Sequence, residues 1–309
     1  MKIGFIGLGR MGFGMVQLLT DKGHDVVAYD INEKAVQEIA NYGAQGVNTV
    51  DQMLSALDGE DHKFVWIMVQ RGIVQTVLDD LQPRLAEGDI IVDGGNTFYK
   101  ETIERSKLAN SSGISYMDVG VSGGVTAARN GACLMIGGNK ELFDCYEPIF
   151  RDLAQKDGYG YMGESGAGHL VKGLHNGIEY GMMQAIGDGF EAIMDQKDSF
   201  NLQPTEILKV YNHGSIIESA LTRWLEKAWH EDDELSQIAG SVPTGDTADE
   251  MKELSRLSTN PSLSMSIEER EKSQSTPRFA AKAVAAMRNQ FGGHKLILNS
   301  EQGNKDDEQ

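Results

Sequence analysis

In the first half of the chain, short apolar runs recur between glycine, aspartate or asparagine boundaries: Lys2–Ile6, Asp25–Tyr29, Phe64–Val69, Ile90–Val92, Ser115–Val119 and Leu134–Ile136. Runs this short, closed by turn residues, predict buried strands. Between them lie segments with apolar residues at helical spacing, such as Gly12–Lys22, Glu33–Asn41 and Val74–Leu81. Strand–helix alternation of this kind predicts an α/β fold with a doubly wound, mostly parallel sheet. After about Gly163 the pattern changes. Gly166–Met194 is a long proline-free stretch with helical periodicity, Pro204–Tyr211, Ser215–Trp229 and Arg278–Phe291 read as further helices, and strand signals nearly vanish. The expected organisation is therefore a sheet domain over 1–163, an all-helical domain over 164–298, and a polar, disordered tail over 299–309. No internal repeat is visible.

Composition narrows the class. With 309 residues, 40% hydrophobic and 24% charged, the chain has room for two globular domains. Cys133 and Cys145 are too few for a disulfide framework and lack metal-ligand spacing, so both are expected in the core of a protein from a reducing compartment. Met1-Lys2 leads directly into an apolar run broken by Gly4 and Gly7, which is not the pattern of a secretory signal. No run approaches the ~20 apolar residues of a membrane span. A soluble, cytoplasmic protein is expected, with no membrane partner. The formal charge of −18 argues against nucleic acid as a partner. It also means that any anionic substrate needs cations concentrated locally. A salty cytoplasm or a simple need for solubility explains the acidity equally well.

Gly7-Leu8-Gly9-Arg10-Met11-Gly12 follows the first strand and opens a helix. Glycines here allow a tight turn and close approach to a pyrophosphate, which the helix N-terminus then faces. Alone the motif is weak. It gains force from its place between strand and helix and from Asp30 at the end of the second strand, which together predict a Rossmann-type dinucleotide site. A carboxylate at Asp30 accepts from the ribose 2′-hydroxyl of NAD and repels the 2′-phosphate of NADP. Ile31-Asn32-Glu33 supplies no arginine to offset that repulsion, although Arg10 could still neutralise a phosphate. NAD is expected, with NADP the lesser choice.

The long helical stretch opens with Gly166-Ala-Gly168-His169-Leu-Val-Lys172-Gly-Leu-His175-Asn176-Gly-Ile-Glu179-Tyr180. Lys172, His175, Asn176 and Glu179 stand at i, i+3, i+4 and i+7, on one helix face. Read blandly, this is a solvated face with an incidental charge pair. The apolar flank of Leu170, Val171, Leu174, Ile178 and Met182 favours a functional stripe instead.

These residues carry a resemblance. The Gly166, Gly168, Lys172, Asn176 pattern resembles the β-hydroxyacid dehydrogenases at large. The full Lys172-to-Tyr180 run, Asp93-Gly-Gly-Asn96-Thr97, Asp118-Val-Gly-Val-Ser122-Gly123-Gly124 and Arg288-Asn-Gln-Phe-Gly-Gly-His294 resemble the short, decarboxylating 6-phosphogluconate dehydrogenases in particular. The blocks fall in the expected order over nearly all of the chain except the tail, with Gln237 to Pro277 the poorest match. The resemblance implies oxidative decarboxylation of 6-phosphogluconate to ribulose 5-phosphate, a step of the pentose phosphate pathway and of gluconate utilisation. It implies Lys172 as general base and Glu179 as general acid. As base, the lysine takes the C3 hydroxyl proton while hydride leaves for the nicotinamide; the acid protonates C1 of the product after loss of CO2. The new ketone is the electron sink, so no metal is expected. Burial would supply the lowered pKa that a lysine base needs.

The same resemblance implies substrate contacts from Asn96, Ser122, Gly123, Gly124, His175, Asn176 and Tyr180. Read alone, Ser-Gly-Gly would be an ordinary tight turn. Asn96 and Val69 would also border the cofactor. Arg288 and His294 match a block that, in larger family members, binds the substrate phosphate in a neighbouring subunit's site, and Arg270 aligns with a second phosphate-binding arginine. Arginine suits that task through its planar fork of donors. One departure stands out: Pro243-Thr244-Gly245-Asp246-Thr247-Ala248 places Asp246 where the family usually has Lys or Arg. Either Thr244 or Thr247 donates there instead, or the substrate lacks a phosphate. A single helical unit with an apolar Gly181–Met194 stretch is expected to be covered in an isologous dimer, bringing Arg288 to the partner's site. Two other readings stay open: a non-decarboxylating hydroxyacid dehydrogenase, which has no use for Glu179, and a catalytically silent NAD-binding module.

Overall fold

The protein is described by a computed structural model covering residues 1–245, 247–257 and 260–302; Asp246, 258–259 and 303–309 lie outside the described residues. The chain divides into two compact units, Met1–Gly173 and Leu174–Gln309.

The first unit alternates strands β1 (Lys2–Ile6), β2 (Asp25–Tyr29), β3 (Gln45–Val47), β4 (Phe64–Ile67), β5 (Ile90–Asp93), β6 (Ser115–Ser122), β7 (Ala132–Gly137) and β8 (Ala154–Gly163) with helices. These helices are α1 (Arg10–Asp21), α2 (Glu33–Tyr42), α3 (Val50–Ala56), α4 (Arg71–Leu81), α5 (Tyr99–Ser111), α6 (Gly124–Asn130) and α7 (Lys140–Leu153). The strands form one sheet in the order β3-β2-β1-β4-β5-β6-β7-β8, parallel except for the antiparallel pair β6–β7. This is the expected α/β, Rossmann-type fold. Strand periodicity sends alternate residues to opposite faces. Ile3, Phe5, Phe64, Trp66, Ile90 and Val92 join one core. Ile6, Val65, Ile67 and Ile91 join the other. With both faces buried, the central strands read as nearly unbroken apolar runs.

The second unit is helical: α8 (Ala167–Asp195) runs into it from the first, followed by α9 (Lys197–Phe200), α10 (Pro204–Tyr211), α11 (Ala220–Glu231), α12 (Ala248–Leu254), α13 (Pro261–Ser273), α14 (Phe279–Gly292) and α15 (Asn299–Gln302). Its core gathers Phe190, Leu208, Leu225 and Trp229 with the alanine-rich face of α14. Glycines on α8 let its neighbours approach: a Cβ on Gly187 would stand 2.7 Å from the Ala280 carbonyl oxygen, and one on Gly177 would stand 3.1 Å from Leu263. Leu174, Ile178 and Met182 form an exposed apolar row on the same helix. Among the described residues, no helix is long and apolar enough to cross a membrane.

The first turns of α8 group with the first unit because they pack on β6 and β7, and three expectations need correction. A Cβ on Gly168 would lie 2.4 Å from the Met135 carbonyl oxygen, and one on Gly120 would lie 2.4 Å from Cβ of Lys172. Cys133 and Cys145 are both exposed, not core residues; the first occupies the outward position of β7 and the second the outer side of α7. Asn299–Gln302 is helical rather than disordered, with Asn299 tied through its N–H to the Gln237 carbonyl and through its side chain to that of Ser236. The helix anticipated from Ser215 begins at Ala220, after a capping box in which Ser219 and Thr222 bond reciprocally.

The seat of α8 is therefore steric as well as electrostatic. Gly168→Ala is expected to destabilise the protein by about 1–3 kcal/mol through overpacking against backbone. A lowered midpoint of urea unfolding with unchanged slope would report it.

Candidate active site

The strand order reverses around β1 and β4, and ligands of such sheets bind outside the carboxyl ends of the strands at that point. The glycine-rich turn sits there. Gly7 has φ +104, and a Cβ on it would meet the Met68 carbonyl oxygen at 2.4 Å. A Cβ on Gly12 would stand 2.0 Å from the Gly7 carbonyl oxygen, whereas nothing lies within 4 Å of one on Gly9. The turn is thus crowded on the protein side and open on the other. Gly9 caps α1 without a side-chain bond. Leu8 is buried beneath the loop, while Arg10 is exposed beside it. These features fit a pyrophosphate against the helix N-terminus.

Asp30 closes the loop. Its Oδ2 accepts from the Leu8 N–H at 2.6 Å and its Oδ1 from the Asn32 N–H at 2.7 Å. Each oxygen keeps a lone pair for a ribose hydroxyl. Ile31 beside it is 90% exposed and offers no cation. Val69 follows β4 and connects this region to the next loop: its Cγ1 lies 3.0 Å from a Cβ placed on Gly7, and its carbonyl oxygen 2.9 Å from one on Gly95.

The loop bearing Asn96 is organised by Asp93, a fully buried residue whose role was not apparent from the motif. Its Oδ1 accepts from the Gly95 N–H at 3.0 Å, and its Oδ2 from the Thr97 hydroxyl and the Tyr116 hydroxyl, each at 2.9 Å. Burial, and then Asp93 itself, push the Tyr116 phenol well above its ordinary pKa, which keeps it a donor. With Gly95 and Thr97 both held, Asn96 between them is left exposed. Ser122 ends β6, and Gly123 and Gly124, at φ +117 and +71, turn the chain into α6.

Asp118 performs a similar task for α8. Its Oδ1 accepts from the Gly166 N–H at 2.7 Å and its Oδ2 from the His169 N–H at 2.8 Å. Burial raises its pKa, opposed by His169 and by these two bonds. The His169 ring is fixed by the Thr102 hydroxyl, 2.7 Å from Nδ1. This anchoring sets the rotation of the first turns of α8 and thereby presents the partly buried Lys172 against Gly120.

Further along α8 lie His175, Asn176, Glu179 and Tyr180, all partly buried. His175 Nδ1 is 3.3 Å from Asn176 Oδ1 and 3.9 Å from Glu179 Oε2. Within the second unit Arg270 of α13 lies over the Tyr180 ring, its Cζ 3.2 Å from the centroid. Arg288 of α14 donates through Nη1 to the Pro243 carbonyl at 2.9 Å. A Cβ on Gly245 would stand 3.2 Å from Arg288 Nη2 and 4.0 Å from the Tyr180 hydroxyl oxygen. Burial lowers the pKa of Arg270 to about 10 and also lowers that of Arg288; Tyr180 and Glu179 oppose both shifts. Both arginines remain cationic at neutral pH. Nε and Nη2 of Arg270 are buried without a hydrogen-bond partner among the described residues. The approach to this place is strapped by α13, where Ser273 Oγ accepts from the Val242 N–H and Gln274 donates to the Thr244 hydroxyl. Thr244 thus accepts from Gln274 and keeps its own O–H to donate, and Asp246 lies outside the described residues. His294 is exposed and sits edge-on to Phe291.

A Rossmann-type unit with this loop, whose last helix carries Lys172 and continues through Tyr180 into a helical unit, defines a nicotinamide-dinucleotide-dependent dehydrogenase. Residues 2–163 match the family model for the NAD binding domain of 6-phosphogluconate dehydrogenase. YqeC of Bacillus subtilis, provisionally named a 6-phosphogluconate dehydrogenase, is 43% identical over 95% of this chain and 98% of its own length. The NAD(+)-dependent, decarboxylating 6-phosphogluconate dehydrogenase of Haloferax volcanii is 36% identical over 96% and 98%. The 6-phosphogluconate dehydrogenase of Plasmodium falciparum, solved in its apo form and in complexes with NADP+ and with 6-phosphogluconate, is similar with a TM-score of 0.78 and 26% identity. That likeness covers 88% of this chain but 62% of the longer Plasmodium chain. The 3-hydroxyisobutyrate dehydrogenase of Mycobacterium tuberculosis shares the fold, with a TM-score of 0.65 and 21% identity over 91% of this chain and 97% of its own. The chain belongs to the 6-phosphogluconate dehydrogenase family.

Asp93→Ala would strand three donors, at least two of them buried. It is expected to cost about 3 kcal/mol and to loosen the Asn96 loop. Chemical denaturation, with amide hydrogen exchange over residues 94–98, would check both effects.

Proposed function

We propose that the protein is a cytoplasmic, NAD-preferring 6-phosphogluconate dehydrogenase that oxidises and decarboxylates its substrate to ribulose 5-phosphate. The observation that carries this reading is Glu179. Its carboxyl side chain sits beside His175 on α8, seven residues beyond Lys172, and acts electrostatically on two buried arginines. Seven residues of helix rise roughly 10 Å in two turns, so both groups share a face. An oxidation without decarboxylation needs the lysine and Asn176 but has no step for that acid.

A dinucleotide held by the Gly7–Gly12 turn and Asp30 would supply the hydride acceptor for C3 of the sugar acid. Lys172 takes the C3 hydroxyl proton and, once protonated, polarises the new ketone. This weakens the bond to the carboxylate, whose electrons pass into an enediol as CO2 leaves. Glu179 then delivers a proton to the carbon that lost CO2, C2 of the acid and C1 of the product. Asn96, Ser122, Gly123, Gly124, His175, Asn176 and Tyr180 orient the sugar acid, while Arg270 and Arg288 receive the phosphate, with His294 a further candidate. Gly7, Leu8, Gly9, Arg10, Met11, Gly12, Val69 and Asn96 border the dinucleotide. Asp30 favours NAD over NADP by repelling a 2′-phosphate. The exposed row of Leu174, Ile178 and Met182 supports a homodimer that covers it.

NADH and CO2 are expected in equal amounts from 6-phosphogluconate, with far lower kcat/KM for gluconate; equal use of the two acids would remove the phosphate from the reading. Lys172→Ala should lower kcat by roughly 10²–10⁴. Glu179→Gln should abolish CO2 release while sparing part of the oxidation. Asp30→Asn should lower the NAD-to-NADP ratio of kcat/KM at least tenfold, about 1.4 kcal/mol. An unchanged ratio would show that another residue selects the cofactor.

A further inference from the structure

We propose that Arg71 is a positioning residue for the dinucleotide crevice: with Glu101 and Phe98 it ties the loop after β4 to the loop after β5, so that Val69 and Asn96 are presented as one surface. The inference rests on the roles proposed above for Val69 and Asn96 and adds what holds the two loops in register.

Each loop is fixed where it leaves the sheet. Ile67 and Asp93 are register partners, the Met68 N–H donates to the Ile6 carbonyl at 2.7 Å, and the Gly94 N–H donates to the Ile67 carbonyl at 2.9 Å. The far ends pass into different helices. Arg71 is the first residue of α4, Phe98 stands just before α5, and Glu101 lies in the first turn of α5. Nε of Arg71 donates to Glu101 Oε1 at 3.1 Å, and its Nη2 donates to the same oxygen. The guanidinium also lies over the Phe98 ring, 5.4 Å from the centroid. One turn further along both helices, Arg105 Nη2 stands 3.4 Å from Glu101 Oε2, and Arg105 Nε donates to Gln75 Oε1 at 3.1 Å. Arg71 and Gln75 on α4 are thereby laced to Glu101 and Arg105 on α5.

Location decides what this lacing does. Val69 is two residues before Arg71, and Asn96 is two residues before Phe98. The loops meet between those points, where a Cβ on Gly95 would stand 2.9 Å from the Val69 carbonyl oxygen. The side chains of Arg71 and Glu101 are 27% and 35% exposed, so solvent and salt screen the pair less than a free surface contact. The guanidinium fork adds direction that an ammonium lacks. An ion pair this accessible contributes little to global stability. Its effect falls instead on two short loops, which would otherwise have to be ordered at the expense of ligand binding.

Arg71→Met removes the charge and the donors but keeps a stem over Phe98. It is expected to raise the KM for both NAD and 6-phosphogluconate roughly fivefold to tenfold, with kcat within roughly twofold of wild type. Arg71→Lys should recover part of the loss. Glu101→Gln should reproduce it, and the double variant should be no worse than the more affected single variant, because the pair acts as a unit. Amide hydrogen exchange in Arg71→Met should quicken over residues 94–98, on the loop that does not carry the substitution. Unchanged KM values in a folded Arg71→Met protein would reduce the pair to a structural contact and overturn the inference. So would additive effects of the two substitutions on KM, or a raised KM with unchanged exchange over 94–98, which would make Arg71 a direct ligand contact. If Arg71→Met does not fold, Glu101→Gln carries the same readouts, with exchange followed over residues 69–72. Wild-type protein inert toward 6-phosphogluconate would defeat the functional reading instead. The dissociation constant for NADH, measured without any sugar acid, then decides: raised in Arg71→Met, it supports the inference, and equal to wild type, it overturns it.

Discussion

Asp118, a carboxylate with no exposed surface, fixes where α8 begins. Its two oxygens receive the N–H groups of Gly166 and His169, donors that a helix end otherwise leaves unsatisfied. The negative charge also lies at the favourable end of the helix dipole. Because an α-helix is stiff, fixing its first turn fixes the azimuth of the residues that follow. Gly168 and Gly120 then allow the helix to lie directly on β6 and β7. Lys172, in the same unit, inherits its orientation from these few contacts.

Much of this was legible in the chain. Central strands announce themselves because both faces are buried, and the glycine-rich turn and Asp30 appear at the ends of the first two. The edges were harder. β3 has only Val47 as a buried apolar residue, and β8 carries polar, largely accessible positions, as the last strand of a sheet does. α12 and α13 were hidden by their acidic and serine-rich surfaces. Cys133 and Cys145 were misplaced because cysteine's usual burial says nothing about which side of a strand or helix a given residue occupies.

The candidate site divides in the same way. Lys172, His175, Asn176 and Glu179 could be placed together from helical spacing because they belong to one element. Asp93 and Asp118 were visible as members of motifs, but their tasks were not. Their partners are mostly backbone N–H groups and a tyrosine hydroxyl, some of them dozens of residues away, and backbone donors carry no side-chain signature. The surroundings of Arg288 were likewise beyond reach, since residues 243, 245, 270 and 180 meet only in the folded helical unit.

Asp30 is gripped by two main-chain amides, those of Leu8 and Asn32. Such donors persist whatever side chains replace their neighbours. Remodelling the surrounding side chains therefore does not swing this carboxylate aside; only exchange of the aspartate itself removes it, and that exchange loosens the turn the same group secures. Under the proposed role of Asp30, cofactor choice and loop rigidity would be a single inherited trait.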